Sequence, residues 1–83
     1  MKKIVITRGT TKIEVIRPDV IEVKESSDGL VFMMKGGFMF TFTDTDMPTH
    51  AKINIIGAVN NFPNANVEIN LLNYAQPASL VAD

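Results

Sequence analysis

The stretch Leu30 to Thr43, LVFMMKGGFMFTFT, holds four of the chain's five Phe residues and three of its five Met residues. It reads as two strands joined by Gly36-Gly37, a two-residue turn whose positive φ angles suit hairpin twist. That loop sets Lys35 opposite Phe38, Met33 opposite Phe40 and Val31 opposite Phe42 on one face. On the other face Met34 meets Met39, Phe32 meets Thr41 and Leu30 meets Thr43. The first face is apolar almost throughout, as a core must be. The second is half apolar, more than a solvent face requires, and it marks a candidate interaction surface.

Working outward toward the N-terminus, residues 2–7 and 11–17 are two β-rich runs. Gly9-Thr10 between them has the II′ hairpin signature and pairs Ile6 with Ile13 and Ile4 with Val15. Arg17-Pro18-Asp19 breaks the second run, because Pro lacks a donor and biases Arg17 toward extended backbone. A third strand, Val20 to Glu25, reaches the central stretch through Ser26-Ser27-Asp28-Gly29. A four-residue loop there pairs Val23 with Phe32. A three-residue loop with left-handed Gly29 pairs Val23 with Met33 and Ser26 with Leu30. The second choice gathers Ile21, Val23, Val31, Met33, Phe38, Phe40 and Phe42 on one face, and it is preferred.

After Thr43 the period changes. Asp44-Thr45-Asp46 offers candidate caps, and Pro48 suits a first helical turn. Ala51, Ile55, Ala58, Val59 and Phe62 recur at helical spacing, predicting a helix at about 48–61 that ends before Pro63. A strand over Lys52–Ile56 is the competing reading, because Ile53, Ile55 and Ile56 are β-branched. Gly57 weakens the helix relative to Ala and suggests close approach to the sheet. Val67-Glu68-Ile69-Asn70-Leu71 alternates as a further strand, although Val67, Leu71 and Tyr74 also fit a helix. Residues 75–83 read as a tail, able to fold back over the half-apolar face. The expected architecture is α+β: an antiparallel β-meander of about five strands packed by one helix, with a further C-terminal strand, in one small domain spanning 1–83.

Composition bounds the chemistry. The chain has 83 residues, 46% hydrophobic and 20% charged, which fits an ordinary globular domain rather than a disordered one. Without cysteine there is no disulfide framework and no Cys-based zinc site. The opening MKKIVIT is too short for a signal peptide or a membrane span. A cytoplasmic or virion setting fits these features. The net charge of −1 is unevenly distributed. Residues 1–17 carry Lys2, Lys3, Arg8, Lys12 and Arg17 against Glu14, or +4; the remainder carries Lys24, Lys35 and Lys52 against eight carboxylates, or −5.

Catalytic constellations are sparse. His50 is the only histidine, and nothing in the sequence supplies its orienting partner. Asp44 and Asp46 resemble the opening of a calcium loop, but Thr49 stands where that loop needs glycine and Ile55 where it needs glutamate. Helix capping explains both aspartates at less cost. Glu22 and Glu25 fall on opposite faces of a strand and cannot flank one substrate bond. Gly36-Gly37 precedes a strand, so it has no helix N-terminus with which to hold phosphate. No catalytic, cofactor or metal site is expected, and an enzyme acting through His50 with Asp44 or Asp46 ranks third.

Two functional readings stand above it. The first is a non-enzymatic protein–protein interaction or assembly module, a homo-oligomer or the binder of another protein, whose interface is Val20, Leu30, Phe32, Met34 and Met39. Small, Cys-free, near-neutral β-rich domains are common among phage and bacterial structural or accessory proteins, an analogy of composition alone. In this reading the basic hairpin of one copy could also meet the acidic remainder of the next, giving head-to-tail assembly. The alternative is a nucleic-acid-binding β-domain using Lys2, Lys3, Arg8, Lys12 and Arg17. A pI of about 5.7 lies well below the usual footprint of such domains.

Overall fold

The computed structural model describes residues 1–82. The fold is α+β, with seven strands in two sheets and one α-helix among those residues. In chain order the elements are β1 (Lys3–Arg8), β2 (Thr11–Ile16), β3 (Val20–Ser26), β4 (Gly29–Met34), β5 (Met39–Thr43), α1 (Thr49–Asn60), β6 (Asn66–Asn70) and β7 (Ala78–Val81). One sheet runs β2-β1-β6-β7 and the other β3-β4-β5. The first five strands are therefore not one meander. A single 3-10 turn at Arg17–Asp19 carries the chain from one sheet to the other, and only β3, β4 and β5 form the expected antiparallel run.

The first hairpin follows its turn chemistry. Arg8 pairs with Thr11, Ile6 with Ile13 and Ile4 with Val15. Gly9 has φ 61 while no non-glycine residue among those described has positive φ, as a II′ turn requires. β6 lies parallel beside β1, with Ile4 opposite Val67 and Ile6 opposite Ile69. The C-terminal segment is not a tail over the central hairpin. Ala78–Val81 is a strand paired with β6, and Ala78 is buried.

The central hairpin differs from its expected register by one residue. Phe32 lies opposite Phe40, Leu30 opposite Phe42 and Met33 opposite Met39. The loop is Lys35-Gly36-Gly37, closed by the Met34 N–H donating to the Phe38 carbonyl at 2.8 Å, with φ 85 and 82 at the two glycines. Because side chains alternate with period two, this single step exchanges the faces. Phe32, Phe40 and Phe42 thereby share the inner face. Phe32 stacks on Phe40 with ring centroids 4.9 Å apart, and Phe42 packs edge-on against both. Such pairs contribute about 0.5–1.5 kcal/mol beyond burial alone.

The preceding turn is corrected in the same direction. Ser26 pairs with Gly29 and Val23 with Phe32, so the three-residue loop with left-handed Gly29 does not form. A bulge at Ile21 then lets both Val20 and Val23 point inward while Ile21 faces solvent. Glycine is needed at position 29 because β5 passes so close that a β-carbon would overlap the Phe42 carbonyl oxygen.

The core lies between the two sheets and is closed along one side by α1. Ile4, Ile6, Val15, Val67 and Ile69 meet Val23, Leu30 and Phe32, with Ala51, Ile55 and Val59 of the helix. Phe62 lies two residues beyond the last helical residue and is exposed. No side chain caps the helix N-terminus; the Asp44 carboxylate instead accepts from the Asp46 N–H.

Polar side chains dock α1 against the open edges of both sheets. Asn60 accepts from the Val23 N–H and donates to the Val23 carbonyl, both at 2.9 Å, as a neighbouring strand would. Asn54 accepts from the Ala78 N–H of β7. Lys52 Nζ donates to the Ser26 carbonyl at 2.8 Å. Arg17 is buried and donates to the carbonyls of Val20 and of Val59, the latter at 2.6 Å. Burial lowers the Arg17 pKa, and its cation sits at the negative end of the helix dipole.

Gly57 does not mark a close approach. A β-carbon there meets only the Asn61 side chain, at 3.7 Å. Gly57→Ala should therefore stabilise the protein by about 1 kcal/mol, whereas Gly29→Ala should destabilise it by roughly 1–3 kcal/mol. Urea denaturation checks both, as midpoint shifts of opposite sign at constant slope. Arg17→Ala should cost about 2–3 kcal/mol, because charge-assisted bonds to the Val20 and Val59 carbonyls are lost along with the packing of the stem. The same measurement reads it.

Candidate functional site

The outer face of the β3-β4-β5 sheet is built by the register just described. Cross-strand rows on this face are Glu22-Met33-Met39 and Lys24-Val31-Thr41. Phe38, in the connection into β5, is 73% exposed, and Met39 and Ile21 are each 61% exposed. Met39 and Ile21, with half-buried Met33 and Val31, form an apolar strip on the solvent side, while Phe38 shares the parity of Phe40 and lies beyond the end of the inner face. Its rim is polar: Lys24 and Glu22 form an ion pair at 3.5 Å, and Thr41 and Thr43 border the other side.

This strip replaces the surface expected from the sequence. Leu30, Phe32 and Val20 are almost fully buried, and Met34 packs against the core. Of the five residues assigned to the interface, Met39 alone is exposed. The slip of one residue exchanges Leu30, Phe32 and Met34 with Val31 and Met33 between the faces. The bulge at Ile21 turns Val20 inward and Ile21 outward, and Phe38, also expected in the core, lies outside it because it precedes β5 at the end of the sheet. A signal for the correct register is present in the sequence. A three-residue loop gathers Leu30, Phe32, Phe40 and Phe42 on one face and leaves Val31, Met33, Met39 and Thr41 on the other. That division is sharper than any the Gly36-Gly37 loop produces.

The basic residues do not form one patch. Arg17 is in the core. Lys3 and Lys12 flank Glu14 on the outer face of the other sheet, at 3.4 and 3.6 Å. Lys2 precedes β1. Arg8 turns toward β5, donating to the Thr43 carbonyl at 3.2 Å and lying 3.8 Å from the Asp44 carboxylate. The charges placed on different copies by the head-to-tail reading, Arg8 and Asp44, thus meet within one chain.

His50, Asp44 and Asp46 belong to a clasp between two loops. The His50 Nε2 lies 3.0 Å from the Tyr74 main-chain carbonyl, which can only accept, so this nitrogen carries the proton. The Tyr74 hydroxyl donates to the Asp44 carboxylate, with oxygen separations of 2.8 and 2.9 Å. Histidine and aspartate therefore hold opposite ends of one tyrosine rather than facing each other. Among the described residues no group of three or more His, Cys, Asp and Glu is placed to hold a metal ion. No helix among them is long and apolar enough to cross a membrane.

Two concavities flank these features. An open groove of about 500 Å³ lies on the outer face of the β2-β1-β6-β7 sheet, bordered by Lys12, Glu68, Asn73 and Gln76. A smaller apolar cleft of about 150 Å³ opens between the sheets on the side away from α1, lined by Ile6, Ile13, Phe42 and Leu71 with Arg8 and Thr11.

The clasp has a pH signature. The Tyr74 pKa is raised, first by its hydrogen bond to Asp44, then by burial and by the charges of Asp44 and Asp46. The folded state thus holds this proton more tightly than the unfolded chain. Its contribution is complete below the ordinary tyrosine value near 10 and is lost as pH rises through the folded value. Tyr74 is the only tyrosine. Denaturant midpoints from about pH 8 to 11 should fall more steeply for the wild type than for Tyr74→Phe, which cannot titrate there.

No family model matches this chain, and comparison with curated proteins and with solved structures likewise returns no match.

Proposed function

We propose that this protein is a non-enzymatic assembly module that self-associates through the outer face of the β3-β4-β5 sheet. One observation carries the reading: the apolar strip of Ile21, Val31, Met33 and Met39 lies on the solvent side of the sheet, outside the core cluster. Exposed apolar groups scattered singly need no explanation, but contiguous ones with a polar rim mark partner sites. Methionine and aromatic side chains are the types enriched at such interfaces, and charged groups are depleted from their centres. Here the charges of Glu22 and Lys24 sit in the rim and neutralise each other.

The basic hairpin supports a nucleic-acid reading less well. Lys3, Lys12 and Arg8 already face carboxylates of the same chain, and Arg17 is buried. Phosphate contacts would have to displace those local partners.

Sedimentation velocity between 10 µM and 1 mM tests the assembly reading; both limits are about the range of weak to moderate association. The wild type should form oligomers within it. Met33→Asp, at the centre of the strip and on the interior strand of its sheet, should weaken association about tenfold, as expected for placing a charge in an apolar contact. Its urea midpoint should stay close to that of the wild type, since Met33 is outside the core cluster. A wild type that stays monomeric at the upper limit contradicts the self-association reading.

A further inference from the structure

The four sheet edges among the described residues are not treated alike. The β3 edge carries a bulge and is capped by Asn60. At β7 the outward N–H of Ala78 is taken by Asn54. Along β2 the edge bears Lys12 and Glu14, the charged residues that commonly guard open edges. The β5 edge, Met39-Phe40-Thr41-Phe42-Thr43, has no charge, no proline and no bulge.

Hydrogen-bond parity shows which groups this edge offers. Met34 donates to the Phe38 carbonyl and Asp44 to the Asp28 carbonyl. In an antiparallel pair such bonded positions alternate, so Phe40 and Phe42 bond to β4 while Met39, Thr41 and Thr43 turn their backbone groups away. Arg8 on the outward Thr43 carbonyl agrees with that parity.

We propose that β5 pairs antiparallel with β5 of a second copy of this chain, about a two-fold axis at Thr41, joining two three-stranded sheets into one of six strands. It rests on the reading of this protein as self-associating and adds an edge contact distinct from the outer face. Three features select a second copy as the occupant. The strand is nearly palindromic about Thr41, so this register uses all five residues, the Thr43 carbonyl accepting from the second copy's Met39 N–H with the lone pair that Arg8 leaves. Thr41 meets its own copy through both backbone bonds, Met39 meets Thr43, and Phe40 meets Phe42 on the inner face. Next, Phe42 lines the apolar cleft between the sheets, where Ile13 is 40% exposed. The second copy's Phe40, beside Phe42, stands at the mouth of that cleft and covers it. Finally, the ends are complementary in charge. Lys35 and the Asp46 carboxylate form no ion pair among the described residues; Lys35 stands in the loop at one end of β5 and Asp46 follows its other end. The two-fold brings Lys35 of each copy toward Asp46 of the other, twice. The outer strips of both copies then lie on the same side of one continuous sheet.

Because the chain has no cysteine, Thr41→Cys places a single thiol at the axis. Directly opposed bonded residues have Cα atoms about 5.5 Å apart, within disulfide reach. Mild oxidation should give a covalent dimer at least about tenfold faster than Thr10→Cys, whose thiol sits on an exposed hairpin tip and meets its copy by collision alone. Thr41→Pro removes only an outward N–H, which edge strands tolerate, and should shift sedimentation to monomer. Lys35→Glu should weaken association roughly fivefold, and Lys35→Glu with Asp46→Lys should recover most of the loss. Should Thr41→Pro fail to fold, the thiol and charge-exchange arms still decide. Oxidation of Thr41→Cys no faster than of Thr10→Cys overturns edge pairing. If association nevertheless persists and Met33→Asp abolishes it, the outer-face reading survives alone. If selective crosslinking occurs while Met33→Asp is silent, the edge contact stands and the outer strip is not the interface.

Discussion

The register of the β4-β5 hairpin is the constraint on which the rest of the structure depends. With Lys35-Gly36-Gly37 as the loop, Leu30, Phe32, Phe40 and Phe42 face inward together. Phe32 sits at the middle of the core, stacked on Phe40 and touched edge-on by Phe42. Shifting the pairing by one residue would turn Phe32 and Leu30 outward and bring Met33 and Val31 in. The aromatic cluster would be dismantled, and the outer face would change identity at the same moment. One decision about a loop therefore sets both what holds the protein together and what it presents to solvent.

A second layer of organisation is the management of backbone groups. Two separate sheets create four edges, and the single helix serves two of them. Asn60 at the C-terminal end of α1 and Asn54 near its middle complete the open sides of β3 and β7 with side-chain amides. Arg17 and Lys52 add side-chain donors to the carbonyls of Val20, Val59 and Ser26. These bonds supply direction where apolar contact alone is non-directional. On the opposite side no helix intervenes, and the sheets part to leave the cleft at Ile13 and Phe42. The molecule is thus closed along one flank and open along the other. The uncharged β5 edge lies on the open flank.

Electrostatics act locally rather than by region. The opposite signs of the first 17 residues and the remainder suggest a polar molecule with a basic end. In the fold that asymmetry is largely dissipated, because Glu14 stands between Lys3 and Lys12 and Asp44 lies beside Arg8. Arg17 leaves the surface altogether. Exposed pairs of this kind contribute only about 0–1 kcal/mol each. Their consequence is to reduce the basic field that a polyanion would need.

The sequence alone determined the elements whose signals are local and mutually consistent. The first hairpin was legible to the residue, because the Gly9-Thr10 turn and the alternation of Ile4, Ile6, Ile13 and Val15 demand one register. The helix over Thr49–Asn60 and the strand around Val67 and Ile69 followed from their periods. Tertiary structure decided what local patterns leave degenerate. Gly36-Gly37 permits a two- or a three-residue loop, and both faces of the hairpin are rich in apolar residues. Only packing Phe32 against Phe40 and Phe42 resolved the choice. The split into two sheets depends on β1 lying parallel to β6, a pairing across some sixty residues with no turn to announce it. Likewise Ala78–Val81 becomes a strand because β6 offers it an edge. The interaction surface was displaced for the same reason, because the Gly36-Gly37 turn signal competes with the sharper division of faces that a three-residue loop gives. In a strand the identity of the exposed face is set by register, and here register is set by the core.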